Sequence, residues 1–169
     1  MGLIKKIVGS VCIALVLIGV YVGINLFMTA SVDLDQTELC IFRYINEERA
    51  NRSLPVLAND TNLSTTSISW SNYLASINDL THGDFETRMQ SIGYSHYSCG
   101  EIIGSFSSGS VNGLPTENSP SEIARQFVNM WLNSLSHREI MLSSYGGCMG
   151  VGVSRFRAVF YGVVDFRFD

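Results

Sequence analysis

Three side chains in this sequence carry the chemistry that a site would need: the imidazoles of His82 and His137, and the carboxylate of Glu101. His137 stands in Ser136-His-Arg-Glu139, a capping-box pattern that places it in the first turn of a helix. Amides at a helix N-terminus disfavour added positive charge, and neutral imidazole is the form that binds metal or accepts a proton. Glu101 opens an apolar segment between Gly100 and Ile102-Ile103, where a carboxylate needs a partner to offset its desolvation. His82 follows Leu80-Thr81 in a loop between helices. Each has a plainer role open to it: an idle loop histidine, a strand-edge anchor on backbone amides, a helix-start histidine bonded to a carbonyl. His96, between tyrosines, reads as exposed or packed on an aromatic neighbour. Arg88 and Arg138 read as forks on carboxylates or helix C-termini, and Glu47, Glu48 and Arg49 as a solvated helix face. There is no Gly-rich phosphate loop, no His-Glu-x-x-His helix and no Gly-x-Ser-x-Gly elbow. Cys99 has no sequence-evident histidine base beside it.

These residues are positioned by a predicted run of helices followed by strands. Asp35 and Glu38 make a capping box for a helix to about Arg52, with Leu39, Phe42, Ile45 and Arg49 along one side; Pro55 follows its end. A second helix is expected over about Asn62–Leu80, with Leu63, Ile68, Tyr73, Leu74 and Ile77 as its apolar positions. It is rich in Ser and Thr, so packing must hold it. Asp84 caps a short helix closed by Gly93. Ser119, Pro120 and Glu122 start the central helix, where Ile123, Phe127, Met130 and Trp131 recur at helical spacing. Strands are expected at Glu101–Phe106, Met149–Phe156 and Ala158–Phe168. Ser107–Asn118 reads as a stretch without regular structure, either a binding-site rim or, the favoured reading, a mobile segment. Helices first, then strands with a helix between, imply an α+β fold.

Ahead of this domain, Lys5-Lys6 precede an apolar run from Ile7 to Ala30. Its length as a helix, about 36 Å, suffices to cross a bilayer core of about 30 Å. A signal peptide is the rival reading, but Met28-Thr-Ala30 makes a poor small-x-small cleavage site. The expected organisation is a cytoplasmic N-terminus (1–6), a transmembrane anchor (7–30), a linker (31–36) and an extracytoplasmic domain (37–169), secreted if the segment is cleaved. The orientation follows from the two lysines before the span. All fifteen acids lie beyond Ala30 against nine arginines, a net −6 that excludes nucleic acid as a natural partner.

Cys12 lies in the apolar run, leaving Cys40, Cys99 and Cys148 in the exported part. Cys99 and Cys148 each immediately precede a predicted strand, so a bridge between them is one expectation and three free thiols the other. Cys40 reads as a small buried hydrophobe. Sequons at Asn51, Asn59 and Asn62 cluster around the first interhelical loop.

Trp131-Leu-Asn-Ser134-x-x-His137-Arg138 resembles the Trp-x-x-Ser-x-x-His-Arg signature of prokaryotic CAP-domain proteins, the superfamily of cysteine-rich secretory proteins, antigen 5 and plant pathogenesis-related class 1 proteins. Asn46-Glu-Glu-Arg49 with Leu54-Pro-x-Leu57, His82 with Arg88 and Gly93-Tyr94, Gly100-Glu101-Ile-Ile, Gly150-Val-Gly-Val153 and Asp165-Phe166 stand in the family's order. The resemblance covers about Thr37 to Phe168. It implies an α-β-α sandwich with a small, largely antiparallel sheet. It also implies a cleft lined by His82, Glu101, Ser134 and His137, with Ser134 where many eukaryotic members carry a glutamate. His82 and His137 would then hold a divalent metal such as zinc, and Glu101 would accept a proton from bound water or orient an imidazole. Two function classes follow. One is a membrane-tethered, non-enzymatic binding module for a small lipid, peptide or glycan. The other is a metal-assisted peptidase with Glu101 as general base. The first is favoured, because one cleft carboxylate is lost and no nucleophile is identifiable.

Overall fold

The computed structural model describes residues 32–111, 114–115 and 119–169. Helix α1 (Leu34–Ala50) starts at Asp33, whose side chain accepts from the Gln36 amide. The expected capping pair is not used, because Glu38 reaches sideways to accept from the Val153 amide at 2.8 Å. Val153 belongs to strand β5 (Gly147–Phe156), which pairs with β1 (Ala58–Asn59) only at Cys148 and Met149. Beyond Met149 that edge has no strand neighbour among the described residues, and Glu38 supplies an acceptor.

Burial pushes the Glu38 carboxyl from 4.5 up to about 7, against the pull of the Val153 amide. A raised acid favours folding fully below its unfolded pKa, and that contribution is lost as pH rises through the folded one. Stability should therefore fall between about pH 4.5 and about 7. Glu38→Gln should flatten that part of a urea-unfolding profile; an unaltered profile would exclude Glu38 as the cause.

Helix α2 (Thr61–Ile77) is capped by Asp60, which accepts from the Leu63 amide at 2.9 Å. Its apolar face differs from expectation: Ile68, Tyr73 and Ile77 are exposed, and the buried stripe is Leu63, Ser67, Ser71, Leu74 and Ala75. Close approach is the reason. A Cβ on Gly150 would lie 2.1 Å from the Ser64 nitrogen, and one on Gly152 would lie 2.2 Å from the Ser67 carbonyl carbon. Glycines on the strand and serines on the helix let the two backbones nearly touch.

Helix α3 (Phe85–Ser91) is capped by Asp84, as expected. Strand β2 (Ser98–Ser107) follows, then β3 (Ser110–Val111) paired with β4 (Leu114–Pro115). The stretch read as irregular thus contains a short ladder. Its sequence signal is Asn112-Gly113, a dipeptide favoured in two-residue hairpins. Helix α4 (Pro120–Asn133) has the expected capping box of Ser119 and Glu122. Helix α5 (Leu135–Met141), β5 and β6 (Val159–Phe168) complete the chain.

The main sheet runs β1-β5-β6-β2, antiparallel except at β1. Helix α2 covers one face. Helix α4 covers the other, where Cβ atoms on Gly104 and Gly162 would strike Met130 and Phe127. Trp131 is fully buried there and donates its indole N–H to the Ile103 carbonyl at 3.1 Å. This is the expected α+β architecture, with helices on both sides of a four-stranded sheet. Among the described residues no helix is long and apolar enough to cross a membrane; the anchor expected over Ile7–Ala30 lies outside them.

Two expectations are corrected. Arg49 is not on a solvated face: it is fully buried and donates to the carbonyls of Pro55 (2.8 Å), Met141 (2.9 Å) and Tyr145 (2.7 Å). Cys99 and Cys148 do not bridge, and both are free thiols. Each stands opposite Arg167 of β6, on either side of that strand. Two strand spacings, roughly 9.5 Å, exceed the reach of a disulfide, about 7 Å between Cα atoms. Cys40 is buried, as a small hydrophobe should be.

Candidate functional site

Strand β2 is the outermost strand of the sheet beside β6. Its successive residues face opposite layers: a Cβ on Gly100 would meet Ile140 of α5, while Glu101 points to the α2 side. His137 and His82 therefore arrive at the same strand edge from the two helical layers.

The loop bearing His82 is shaped by Trp70. Asn78, in the left-handed conformation, ends α2, and the Trp70 indole N–H then donates to the Thr81 carbonyl at 3.1 Å. Gly83 turns with φ +50°, and a Cβ there would lie 2.6 Å from the Trp70 ring, so this position requires glycine. Arg88 stacks on the same ring, 3.8 Å from its centroid. One of its terminal nitrogens donates to the His82 carbonyl at 2.8 Å, and the other to Glu101 Oε2. His82 Nδ1 lies 2.7 Å from Glu101 Oε1. A carboxylate can only accept, so Nδ1 carries the hydrogen and Nε2 keeps its lone pair.

Both oxygens of Glu101 are thus committed. Its side chain is 1% exposed against 53% for His82. Burial pushes the Glu101 carboxyl up, while the Arg88 charge and hydrogen bond pull it down. Burial lowers His82, and the neighbouring Arg88 charge lowers it further. His137 is lowered by burial first and then by the charge His82 would carry, which makes the two rings electrostatic neighbours.

Helix α5 starts with Ser134 as its N-cap, without a side-chain capping bond, so the expected box of Ser136 and Glu139 does not form. His137 is still in the first turn. Its Nδ1 is buried without a hydrogen-bond partner among the described residues. Ser134 Oγ lies 3.4 Å from Ser136 Oγ, and no described hydrogen bond ties it to the His–Glu pair. Arg138 donates to the Leu132 carbonyl near the end of α4, the structural role expected of it.

The donor set fits an open two-imidazole site: one ring oriented by a carboxylate, the other with an orphaned buried nitrogen. It does not fit a closed structural zinc site. Among the described residues no three His, Cys, Asp or Glu side chains are grouped to hold a metal. A cavity of about 380 Å³ between Asp35, Glu38, Leu39 and Phe42 of α1 and Val151 of β5 contains none of these side chains.

Sequence reasoning gave two contributors no role at the site, although Asp165 stood in the family pattern. Trp70 gave no signal beyond its place on a helix. Asp165 did give one, as the single acid within Val163-Val-Asp-Phe-Arg-Phe168, a segment that must be buried as a central strand. It is fully buried, opposite Glu101 in the β2–β6 register.

Residues 42–166 match the model of the CAP family, the cysteine-rich secretory protein family. The chain belongs to that family. Solved structures show the same fold. An outer surface protein from Borrelia burgdorferi is 22% identical with a TM-score of 0.61, over 81% of this chain and 96% of that one. A cysteine-rich secretory protein from Staphylococcus aureus is 18% identical with a TM-score of 0.59, over 81% and 40%. An extracellular protein with an SCP domain from Bacillus anthracis is 22% identical with a TM-score of 0.56, over 80% and 41%. The chain thus spans about two fifths of the latter two proteins. No curated protein matches the sequence.

Proposed function

We propose that this chain is a membrane-tethered, extracytoplasmic binding module whose His–Glu cleft takes a divalent metal such as zinc and a small lipid, peptide or glycan. The observation that carries the reading is the commitment of Glu101. One oxygen accepts from His82 and the other from Arg88, an arrangement that orients an imidazole, and at 1% exposure the carboxylate is shut off from the water it would have to activate. His82 and His137 would be the protein ligands, leaving the remaining positions to water or to the ligand. A bound zinc ion would supply a Lewis-acidic point of attachment. The peptidase reading, with Glu101 as base, has no such support in the geometry.

Tethering rests on Ile7–Ala30, and its orientation on Lys5 and Lys6. One preparation tests both parts. The full chain should fractionate with membranes and retain its first six residues, and in detergent it should bind one zinc per chain by calorimetry. A soluble product beginning near Ser31 would refute the anchor, and absence of zinc binding would refute the metal.

A further inference from the structure

Beneath the His–Glu pair lies a second carboxyl, Asp165 of β6, with no exposure to solvent. It faces Glu101 across the strand register, and Gly150 of β5 stands opposite on its other side. Ser67 of α2 is the polar side chain above it: the hydroxyl lies 2.8 Å from Asp165 Oδ2 and 3.1 Å from the Gly150 carbonyl. Asp165 Oδ1 is buried and receives no hydrogen bond from any described donor. The charged and titratable groups around it are Glu101 on β2, Arg88 on α3, His82 in the loop after α2, and the Cys99 thiol.

Arg88 is the cation of the cluster, and its guanidinium bonds Glu101, not Asp165. His82 Nδ1 is likewise spent on Glu101, and no described hydrogen bond joins His82 to Asp165. Two ionised carboxylates would then share one guanidinium, one of them fully buried and with an oxygen lacking any donor. Like charges in such a site do not both ionise. Ser67 has a single hydroxyl proton between two acceptors, so the cluster is also one donor short.

We propose that Asp165 is a positioning residue, a neutral carboxylic acid at physiological pH whose proton lies on Oδ1 and is donated to Glu101. The proton stays with Asp165 because Arg88 and His82 both hydrogen-bond Glu101 directly, whereas no described hydrogen bond joins either of them to Asp165. The acid then adds a third hydrogen bond to Glu101 from below and leaves the carboxylate's full charge for His82 and Arg88. Burial and the Glu101 charge both push the Asp165 carboxyl far above its ordinary range, in keeping with this count. The inference concerns the cleft of the proposed binding module, but it stands whether or not metal or ligand binds there.

The test is infrared spectroscopy of the full chain at neutral pH, in a detergent free of carbonyl groups. A Glu38→Gln background removes the other acid raised to about 7. A protonated-carboxyl carbonyl band should be present and should disappear on adding Asp165→Asn. No such band in the folded Glu38→Gln protein overturns the proposal, without requiring the Asp165 variant to fold. A second readout separates positioning from simple packing. Asparagine mimics the neutral acid, so the titration midpoint of His82 by NMR should be unchanged in Asp165→Asn. A fall of about one unit or more, the size expected for losing a nearby negative charge, overturns it.

Discussion

Arg49→Ala should destabilise the protein by about 3–5 kcal/mol, because it leaves buried carbonyls without donors and opens a cavity where a long side chain lay. The three carbonyls come from separate places: Pro55 after α1, Met141 at the end of α5, and Tyr145 before β5. A single guanidinium fork thus ties α1 to the segment that carries His137 and to the start of β5. Met141 ends α5, where cationic groups also meet the negative end of the helix dipole. Arg49→Lys keeps the charge but cannot serve three divergent acceptors from one point, so its loss should be intermediate. Urea unfolding of the two variants beside wild type measures the order. A cost below about 1 kcal/mol for Arg49→Ala would mean that water or other donors already satisfy those carbonyls. A loosened α5 should also show at His137, whose NMR signals should shift in Arg49→Ala although the residues do not touch.

Arg49 also marks the boundary of what the sequence discloses. Features set by neighbours along the chain were legible: the Ser119–Glu122 capping box with Pro120, the Asp84 cap, and the three long strands. Arg88 and Arg138 have the structural partners their chemistry implied. Features set by distant segments were not. The charge pattern Glu47-Glu48-Arg49 describes a solvated face equally well until carbonyls 92 and 96 residues away converge on the guanidinium. Glu38 has the spacing of a capping residue, yet an unpaired strand edge claims it. The serine stripe of α2 looks like weak helix sequence and is in fact the packing face, because only small side chains admit the glycines of β5. The candidate site divides in the same way. His82, Glu101 and His137 were found through a family pattern, but the pairing of Glu101 with His82 rather than with water depends on Arg88 and Trp70. Cys99 and Cys148 looked adjacent because both precede strands; β6 inserts between those strands and separates them.

Zinc affinity of the full chain should respond to Glu101→Gln as to the loss of an orienting partner, not of a ligand. Glutamine can still accept from His82 Nδ1, but it removes the charge that polarises the imidazole and balances Arg88, so affinity should fall by about 10–100-fold. His82→Ala or His137→Ala removes one of only two protein ligands, and binding should drop below detection by calorimetry. The pH dependence has a definite sign. Both histidines are lowered from 6.5, so the neutral, metal-competent rings persist somewhat below that value. Affinity should hold at pH 6.5 and decline only as pH falls through the lowered values, where protons compete with metal. Unaltered affinity in both histidine variants would remove the metal from this cleft altogether. The same Glu101→Gln protein separates binding from catalysis. A general base would reveal itself by a loss of about two to four orders of magnitude in peptide turnover with metal retained. Its two oxygens are already engaged by His82 and Arg88, so the expected result is a change in affinity alone. Metal-dependent peptide cleavage by wild type that vanishes in Glu101→Gln would reverse that assignment.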